Sequence, residues 1–329
     1  MTDWLRKLNG NTQEKVLERS FPDWLEPMLA KLTHDYFSDD QWIFERKLDG
    51  QRCLTYCDGD GITLYSRNRK QANDRYPEIV ESLDCKTPFI ADGEIVAFEG
   101  TQTSFSRLQP RMQLKDPEKA KQSKVDVYYY LFDLLYLDGY LITELPLRKR
   151  KSILKAEIRF QDPIRYLQHR NTEGEAFFKE ACKKEWEGLI AKRADATYKQ
   201  SRSSDWLKFK CLNRQEFVIG GYTNPQGERL GFGALLVGYH EDDHLKYAGK
   251  VGTGFDDDTL KSLHEHLTSL ERKTSPFKEE IPENGVHWVT PKLVAEIGFT
   301  EWTNDNKMRH PRFLGLRGDK SAEQVVKED

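Results

Sequence analysis

The chain has 329 residues and a formal net charge of −3 at pH 7, with 32 % charged and 37 % hydrophobic residues. This balance is typical of a folded globular protein and excludes a disordered one, and the length favours two domains. No apolar run is long enough to cross a bilayer, and residues 1–21 lack the apolar core of a signal peptide, so we expect a cytoplasmic location.

The number and spacing of the cysteines limit the disulfides and metal sites that can be expected. The chain has 5 cysteines and no CxxC pair; they are Cys53, Cys57, Cys85, Cys182 and Cys211. An odd number without close spacing predicts reduced cysteines that mostly pack in the interior, and it argues against a structural zinc site.

Basic residues are concentrated in a few stretches. Residues 192–214 carry seven Lys or Arg against two acids, and residues 307–320 form a second basic run. A third run, "LRKRKSILK" at 147–155, is interpreted as a solvated helix start. Local basic clusters on a mildly acidic chain remain compatible with nucleic-acid binding.

In chain order, strands dominate after the first forty residues. The alternating stretches "QRCLTYC" and "ITLYSRN" flank the turn "DGDG" and predict a hairpin. Further strands are predicted for "PFIADGEIVAF", "DVYYYLFDLLYL", "EGLIAKR" and "DWLKFKC". Helices are predicted at about 147–157 and for "TEGEAFFKEACKKEW", where Thr172 and Glu175 have the spacing of a capping box.

The pattern changes near residue 213. Glycine-spaced strands follow, with one helix, "DDDTLKSLHEHLTSL", between them. A small β-rich domain with one helix is compatible with a five-stranded barrel of the oligonucleotide-binding (OB) type, and equally with other small barrels. We therefore predict an α+β domain over 1–212 and a barrel domain over 213–329.

The stretch "FERKLDGQR", Phe44 to Arg52, places five charged residues within an apolar neighbourhood. Asp-Gly is a strong hairpin signal, so a plain turn with solvated charges is one interpretation. The other is a nucleophilic Lys47, whose amine must be neutral to attack although an unperturbed lysine has a pKa of about 10.4. A neighbouring cation such as Arg52, or a bound metal, would favour the neutral amine.

Other charged residues could complete a phosphate-handling site. Glu94 and Glu187 would suit Mg²⁺, which takes carboxylates together with substrate phosphates, although each alone is more typical of a surface charge. Lys208 and Lys210 alternate onto one strand face, which favours either solvent or bound phosphate. Phe132, taken alone, is predicted to be a core residue.

Taken in order, six stretches resemble the nucleotidyltransferase motifs of ATP-dependent DNA ligases: "FERKLDGQR", "LYSRNRK", "FIADGEIVAF", "YYYLFDLLYLDG", "EGLIAKR" and "WLKFKC". The similarity is greatest to the ligase module of bacterial end-joining ligases, and "AGKVGTGF", "PKLVAEIGFTEWT" and "RHPRFLGLRGDK" extend it into the second domain. It covers about residues 26–320. It implies a nucleotidyltransferase (ATP-grasp-like) adenylation domain followed by an OB-fold domain.

The resemblance also implies a role for each motif residue. Lys47 would take AMP from ATP as a phosphoramidate. The remaining implied roles are adenine contact by Glu45 and Phe132, ribose or phosphate contact by Arg52 and Arg67, support of Mg²⁺ or Mn²⁺ by Glu94 and Glu187, α-phosphate binding by Lys208 and Lys210, and orientation of the leaving pyrophosphate by Arg317, Asp319 and Lys320.

The implied function is sealing of nicked double-stranded DNA through lysyl-AMP and DNA-adenylate intermediates. We expect a monomeric, stand-alone two-domain ligase, with no role assigned to residues 1–25. An RNA ligase or a capping-type guanylyltransferase shares the lysine chemistry, but the second-domain motifs weigh against both. A nucleic-acid-binding relative without catalysis is disfavoured because every motif lysine and carboxylate is present.

Overall fold

A computed structural model describes residues 3–6, 8–211, 213–225, 227 and 229–328, and the chain forms two compact units, 1–211 and 212–329. Its α-helices in these residues are α1 (Asp3–Arg6), α2 (Gly10–Gln13), α3 (Pro77–Ser82), α4 (Phe105–Gln113), α5 (Pro117–Lys121), α6 (Leu147–Glu157), α7 (Gly174–Lys183) and α8 (Asp257–Thr268). Within the same part of the chain, no helix has the length and apolar character needed to span a membrane.

The strands of the first unit form two sheets. They are β1 (Leu17–Glu18), β2 (Leu29–Leu32), β3 (Trp42–Lys47), β4 (Gln51–Cys57), β5 (Ile62–Ser66), β6 (Phe89–Glu99), β7 (Gln102–Thr103), β8 (Val127–Leu137), β9 (Tyr140–Leu141), β10 (Ile164–Tyr166), β11 (His169–Asn171), β12 (Gly188–Arg193) and β13 (Arg202–Lys210). One sheet has the order β1-β9-β8-β6-β4-β5, with β7 and β10 added beside β6 and β8. The other has the order β11-β3-β12-β13-β2.

The two sheets of the first unit face each other across a shared apolar layer. Phe132 on β8 and Trp206 on β13 make an edge-to-face contact, with ring centroids 6.1 Å apart. Leu54 on β4 belongs to the same buried cluster. On its outer face, the second sheet packs against Phe177 and Phe178 of α7. Residues on the inner faces are therefore enclosed between two β layers.

The Asp-Gly of "FERKLDGQR" does not form a hairpin, so the hairpin interpretation is wrong at this position. β3 pairs with strands of one sheet and β4 with strands of the other, and Asp49 and Gly50 carry the chain between them. A Cβ on Gly50 would lie 2.2 Å from the carbonyl oxygen of Ile95, so only glycine fits this crossing.

Most other predicted elements of the first unit are confirmed. β4 and β5 pair as the predicted hairpin, and β6, β8, β12 and β13 form where strands were predicted. The capping box is wrong: α7 begins at Gly174, and its N-cap residue Glu173 makes no capping side-chain hydrogen bond. Thr172 instead has a φ of +68°, which turns the chain before the helix starts.

The prediction of reduced packing cysteines is wrong for four of the five. Cys57 forms a disulfide with Cys85, and Cys182 forms one with Cys211; the Cα atoms are 5.6 Å and 5.2 Å apart, respectively. Cys53 is free and buried. The spacing of these cysteines did not indicate the disulfides, because the fold brings together residues that are 28 and 29 positions apart in the sequence.

The second unit is a barrel. Its strands are β14 (Asn213–Thr223), β15 (Leu235–Glu241), β16 (His244–Val251), β17 (Glu271–Arg272), β18 (Val286–Val289), β19 (Val294–Phe299), β20 (Glu301–Trp302), β21 (Met308–Arg309) and β22 (Arg312–Leu316). β16, β15, β14, β19 and β22 pair in that order, and a parallel bridge between Thr253 and Arg312 closes the ring. α8 lies in sequence between β16 and β19 and packs Leu260 and Leu263 into the core. This is the predicted OB arrangement of five strands and one helix.

Candidate active site

The register of β3, β12 and β13 brings four motif residues onto one sheet face. Lys47 is opposite Gly188, which is opposite Lys210. Two residues further along β12, Ile190 is opposite Glu45 on one side and Lys208 on the other. Directly opposed residues of antiparallel strands point to the same face, so the three lysines share a surface with Glu45.

Gly188 separates Lys47 from Lys210 without a side chain of its own. Its φ is +147°, and a Cβ there would lie 1.8 Å from the carbonyl oxygen of Phe209. Any larger residue would push β12 away from β13. Glycine at this position therefore allows the two lysines to occupy neighbouring strands at close spacing.

Lys47 forms an ion pair with Glu187, the residue immediately before β12. Glu187 is almost fully buried, whereas Lys47 keeps part of its surface exposed. The proposed nucleophile and a proposed metal-binding carboxylate are thus in direct contact.

On the sheet that faces Lys47, Arg52 of β4 is held by Asp92 of the neighbouring strand β6. Its Nε and Nη2 atoms each lie 2.5 Å from an Asp92 oxygen, and Nη2 also donates to the carbonyl of Met28. Tyr198 donates its hydroxyl to the same carboxylate at 2.6 Å. Burial would lower the pKa of Arg52, but the charge of Asp92 outweighs burial and raises that pKa. Asp92 is fully buried and fixes the guanidinium in place.

Phe132 lies beneath two cations. The guanidinium of Arg52 is 4.7 Å from the ring centroid, and Nζ of Lys192 is 4.0 Å from it. Lys192 is also 4.0 Å from the ring of Trp206. Phe132 is therefore part of the charged site between the sheets and is more than a core residue.

Glu45 is buried between two lysines that sequence analysis gave no role. Lys151 Nζ lies 2.5 Å from Oε1 of Glu45, and Lys192 Nζ lies 2.6 Å from Oε2. Burial would raise the pKa of Glu45, but the two ammonium groups outweigh burial and lower it. Burial lowers the pKa of Lys192 to about 8. Lys151 also donates to the carbonyl of Phe132, so this network lies directly behind that ring.

The interpretation of "LRKRKSILK" as a solvated helix start is wrong for two of its residues. Arg150 and Lys151 are fully buried in α6, and Arg150 pairs with buried Asp133. The sequence did hold a signal: Leu147, Arg150, Lys151 and Leu154 have the i, i+3, i+4, i+7 spacing of a buried helix face.

Glu94 lies on β6 with Arg52 opposite it on β4. Arg67 directly follows β5 and is partly exposed. Among the described residues, no cluster of three or more His, Cys, Asp or Glu could hold a metal by itself. The carboxylates of Glu94 and Glu187 are ligands of the chemical type that Mg²⁺ takes, one or two at a time, together with phosphates and water.

Arg317, Asp319 and Lys320 lie in the second unit, where they form a charged group beside the barrel. Arg317 makes a two-pronged pair with Asp319 and a 3.1 Å contact with Glu296 of β19. Lys320 lies 3.2 Å from Glu216 of β14. Burial would lower the pKa of Arg317, but these carboxylates raise it well above its usual value.

Two protein-family models match the chain. The "ATP dependent DNA ligase domain" matches residues 27–210, and the "ATP dependent DNA ligase C terminal region" matches residues 228–320. The two matches fall in the two compact units described above.

Similar proteins include the "Multifunctional non-homologous end joining protein LigD" of Pseudomonas aeruginosa, which is 35 % identical over 93 % of this chain and 37 % of its own length. The Mycobacterium bovis protein of the same name is 34 % identical over 99 % of this chain and 42 % of its own length. The chain thus spans less than half the length of these curated relatives.

A solved structure of mycobacterial DNA ligase D complexed with ATP and MES is 32 % identical, covers 92 % of this chain and 98 % of its own, and has a TM-score of 0.68. The ligase domain of M. tuberculosis LigD is 33 % identical, with the same coverages and a TM-score of 0.51. With both its units matched by the two family models, this chain belongs to the ATP-dependent DNA ligase family.

Proposed function

We propose that this protein seals nicks in duplex DNA and that Lys47 carries the AMP group. The arrangement around Lys47 supports the proposal most directly: its amine contacts Glu187, and two further lysines share its sheet face. The opposing sheet presents Arg52 and Phe132 toward the same space between the layers. This combination of an amine, anion-binding cations and an aromatic ring suits transfer of a nucleotidyl group.

The proposed reaction has three in-line steps. The neutral amine of Lys47 attacks the α-phosphorus of ATP; a P–N bond forms, and the bond to the pyrophosphate oxygen breaks. A 5′-phosphate oxygen of the nick then attacks the same phosphorus and releases the lysine, which leaves AMP on the DNA. Finally, the 3′-hydroxyl attacks the DNA phosphate, loses its proton and expels AMP.

Cations between the sheets would neutralise charge during these steps. We assign Lys208 and Lys210 to the α-phosphate, because they share the face of Lys47. Arg52 and Arg67 are assigned to the ribose or phosphates. Fixed positive groups stabilise the charge that develops during phosphoryl transfer without having to reorganise.

Phe132 and Glu45 are assigned to the adenine end of the site. Phe132 offers an aromatic face, and Glu45 lies behind it, bound to Lys151 and Lys192. With both carboxylate oxygens already paired, Glu45 would act on the adenine site mainly through the position of these lysines. Lys151 and Lys192 join the site as positioning residues.

Glu94 and Glu187 would hold a divalent metal, Mg²⁺ or Mn²⁺, which would supply further neutralisation of phosphate charge when bound. In the second unit, Arg317, Asp319 and Lys320 are assigned to orienting the leaving pyrophosphate in the first step. We further propose a monomer acting in the cytoplasm, where ATP and DNA occur together.

The test uses ATP labelled at the α-phosphate, a divalent metal and then a nicked duplex. We expect a covalent AMP adduct that is lost in Lys47→Ala and retained in Lys86→Ala, an exposed lysine outside the site. An adduct that survives Lys47→Ala would contradict the assignment of the nucleophile. An adduct without sealing of nicked DNA would favour RNA ligation or capping chemistry.

A further inference from the structure

A basic cavity of about 490 Å³ lies in the first unit, outside the residues assigned above. Four cationic side chains line it, Arg46, Arg107, Lys124 and Arg165, together with the single carboxylate of Asp126. Its floor is aromatic and includes Phe98 of β6 and Tyr128 and Tyr130 of β8. Such a lining is suited to a polyanion.

A second cavity at the other end of β6 provides a contrast within the same sheet. It contains Phe89, the first residue of the strand, and measures about 330 Å³. Its charged lining has two cations, Lys86 and Arg159, and three carboxylates, so its charge is nearly balanced. Of these two cavities, the one that contains Phe98 carries the excess of positive charge.

The basic cavity continues the face that carries the nucleotide site. Phe98 lies four residues beyond Glu94 on β6, and Tyr128 lies four residues before Phe132 on β8. Alternate residues of a strand share a face, and four residues span about 13 Å. At about 3.4 Å of helix axis per nucleotide of one strand, that distance corresponds to about four nucleotides of duplex DNA.

Contacts within the protein already hold two of these arginines in place before any ligand binds. Arg165 stacks over Tyr128 at 3.8 Å and is also held by Asp162 and by the Tyr130 hydroxyl. Arg46 stacks over Trp186 at 4.4 Å, and within the described residues its buried Nε has no hydrogen-bond partner. A buried donor without a partner is costly, and an acceptor oxygen from a ligand would relieve that cost.

We propose that this cavity binds the phosphodiester backbone of the DNA strand next to the nick, with Arg107 and Lys124 as its outer, exposed contacts. The inference depends on the proposed ligase function, because it names where the DNA lies relative to the AMP site. Arg46 and Arg165 hold phosphate oxygens at the inner wall. The DNA strand bound here would run from the reacting phosphate along the inner face of β6 and β8.

The experiment measures binding of nicked duplex without divalent metal, from about 50 to 200 mM salt. The variant Arg107→Gln/Lys124→Gln removes the two outer contacts, and both residues are exposed. The matched control Lys86→Gln/Arg159→Gln removes the same charges at the opposite end of β6. Each lost phosphate contact lowers the slope of log K against log [salt] by about 1.

We expect the cavity variant to bind several-fold more weakly at low salt, with a slope smaller by about two, and the control to match the wild-type protein. Equal slopes in the two variants would overturn the inference. The charge-preserving variant Arg107→Lys/Lys124→Arg should restore the slope; if it does not, the effect is one of local folding and the inference fails. Formation of the AMP adduct is measured in parallel, so failure of the ligase proposal itself is distinguished by absence of the adduct in the wild-type protein.

Discussion

The ammonium group of Lys47 lies against the carboxylate of Glu187, although the two residues are far apart in the sequence. The antiparallel register that places Gly188 opposite Lys47 enforces the contact. A neighbouring carboxylate favours the protonated amine, which cannot attack phosphorus. A divalent ion bound at Glu187 would reduce that effect, so the metal proposed for phosphate neutralisation would also help Lys47 to lose its proton.

The first prediction concerns Glu187→Gln. Without the carboxylate charge, the pKa of the Lys47 amine should fall, because the charged form loses its partner. We expect the self-adenylylation rate to begin rising at lower pH than in the wild-type protein, and to reach a lower maximum because a proposed metal ligand is lost. The measurement is single-turnover adduct formation against pH.

Glu157→Gln is the matched control for this pH profile, since it removes an exposed carboxylate at the end of α6. Its profile should coincide with that of the wild-type protein. A rate that begins to rise at the same pH in Glu187→Gln as in the wild-type protein would show that the ion pair does not govern the protonation of Lys47.

The second prediction concerns the support of Arg52. Asp92→Asn leaves the Arg52 guanidinium buried without its counter-charge, and breaking a buried pair costs about 3–5 kcal/mol of unfolding free energy. Tyr198→Phe keeps the counter-charge and removes two hydrogen bonds, one donated to Asp92 and one accepted from the Met28 amide, so it should cost about 1–3 kcal/mol. Urea unfolding measures both. KM for ATP should rise more in Asp92→Asn than in Tyr198→Phe, and the reverse order would contradict the role of Asp92 in positioning Arg52.

The sequence predicted the strands that carry the lysine motif and the other motifs of the first unit, because alternation is a local signal. It did not predict that the Asp-Gly after Lys47 connects two sheets, since sheet membership depends on partners far along the chain. The two disulfides were missed for the same reason.

The burial of two cationic residues of α6 was missed for a different reason. Arg150 and Lys151 were assigned to solvent because charged residues are rarely buried, and their partners Asp133 and Glu45 lie on other elements. Only the i, i+3, i+4, i+7 spacing with Leu147 indicated burial. A charged residue whose spacing places it on an apolar helix face is therefore predicted to be buried in an ion pair, although its residue type alone predicts exposure.

The third prediction concerns acid stability and Glu45. Its pKa is lowered in the folded protein, so its contribution to stability is complete above the unfolded value of about 4.3 and is lost as pH falls through the folded value. Glu45→Gln leaves Lys151 and Lys192 buried without a counter-charge. We expect a loss of about 3–5 kcal/mol of unfolding free energy at pH 7.

The unfolding free energy of wild-type protein should fall more steeply below about pH 4.3 than that of Glu45→Gln, because only the wild-type protein protonates this carboxyl on acidification. Urea unfolding across this range measures the difference. The double variant Glu45→Gln/Lys151→Met removes one unpaired cation and should recover part of the stability. Parallel pH curves for wild-type and Glu45→Gln would contradict the lowered pKa.

The last prediction separates the steps of the reaction by means of Arg317. Because this residue is assigned to the leaving pyrophosphate, Arg317→Ala should strongly reduce self-adenylylation and leave sealing of a pre-adenylylated nick largely intact. The control is Lys261→Ala in the same unit, which removes an exposed cation on α8 outside every motif and should affect neither step. Arg317 is also buried against Asp319 and Glu296, so its loss could disturb the barrel. Retained sealing of the pre-adenylylated nick shows that the barrel is intact, whereas equal loss in both assays would contradict a role confined to the first step.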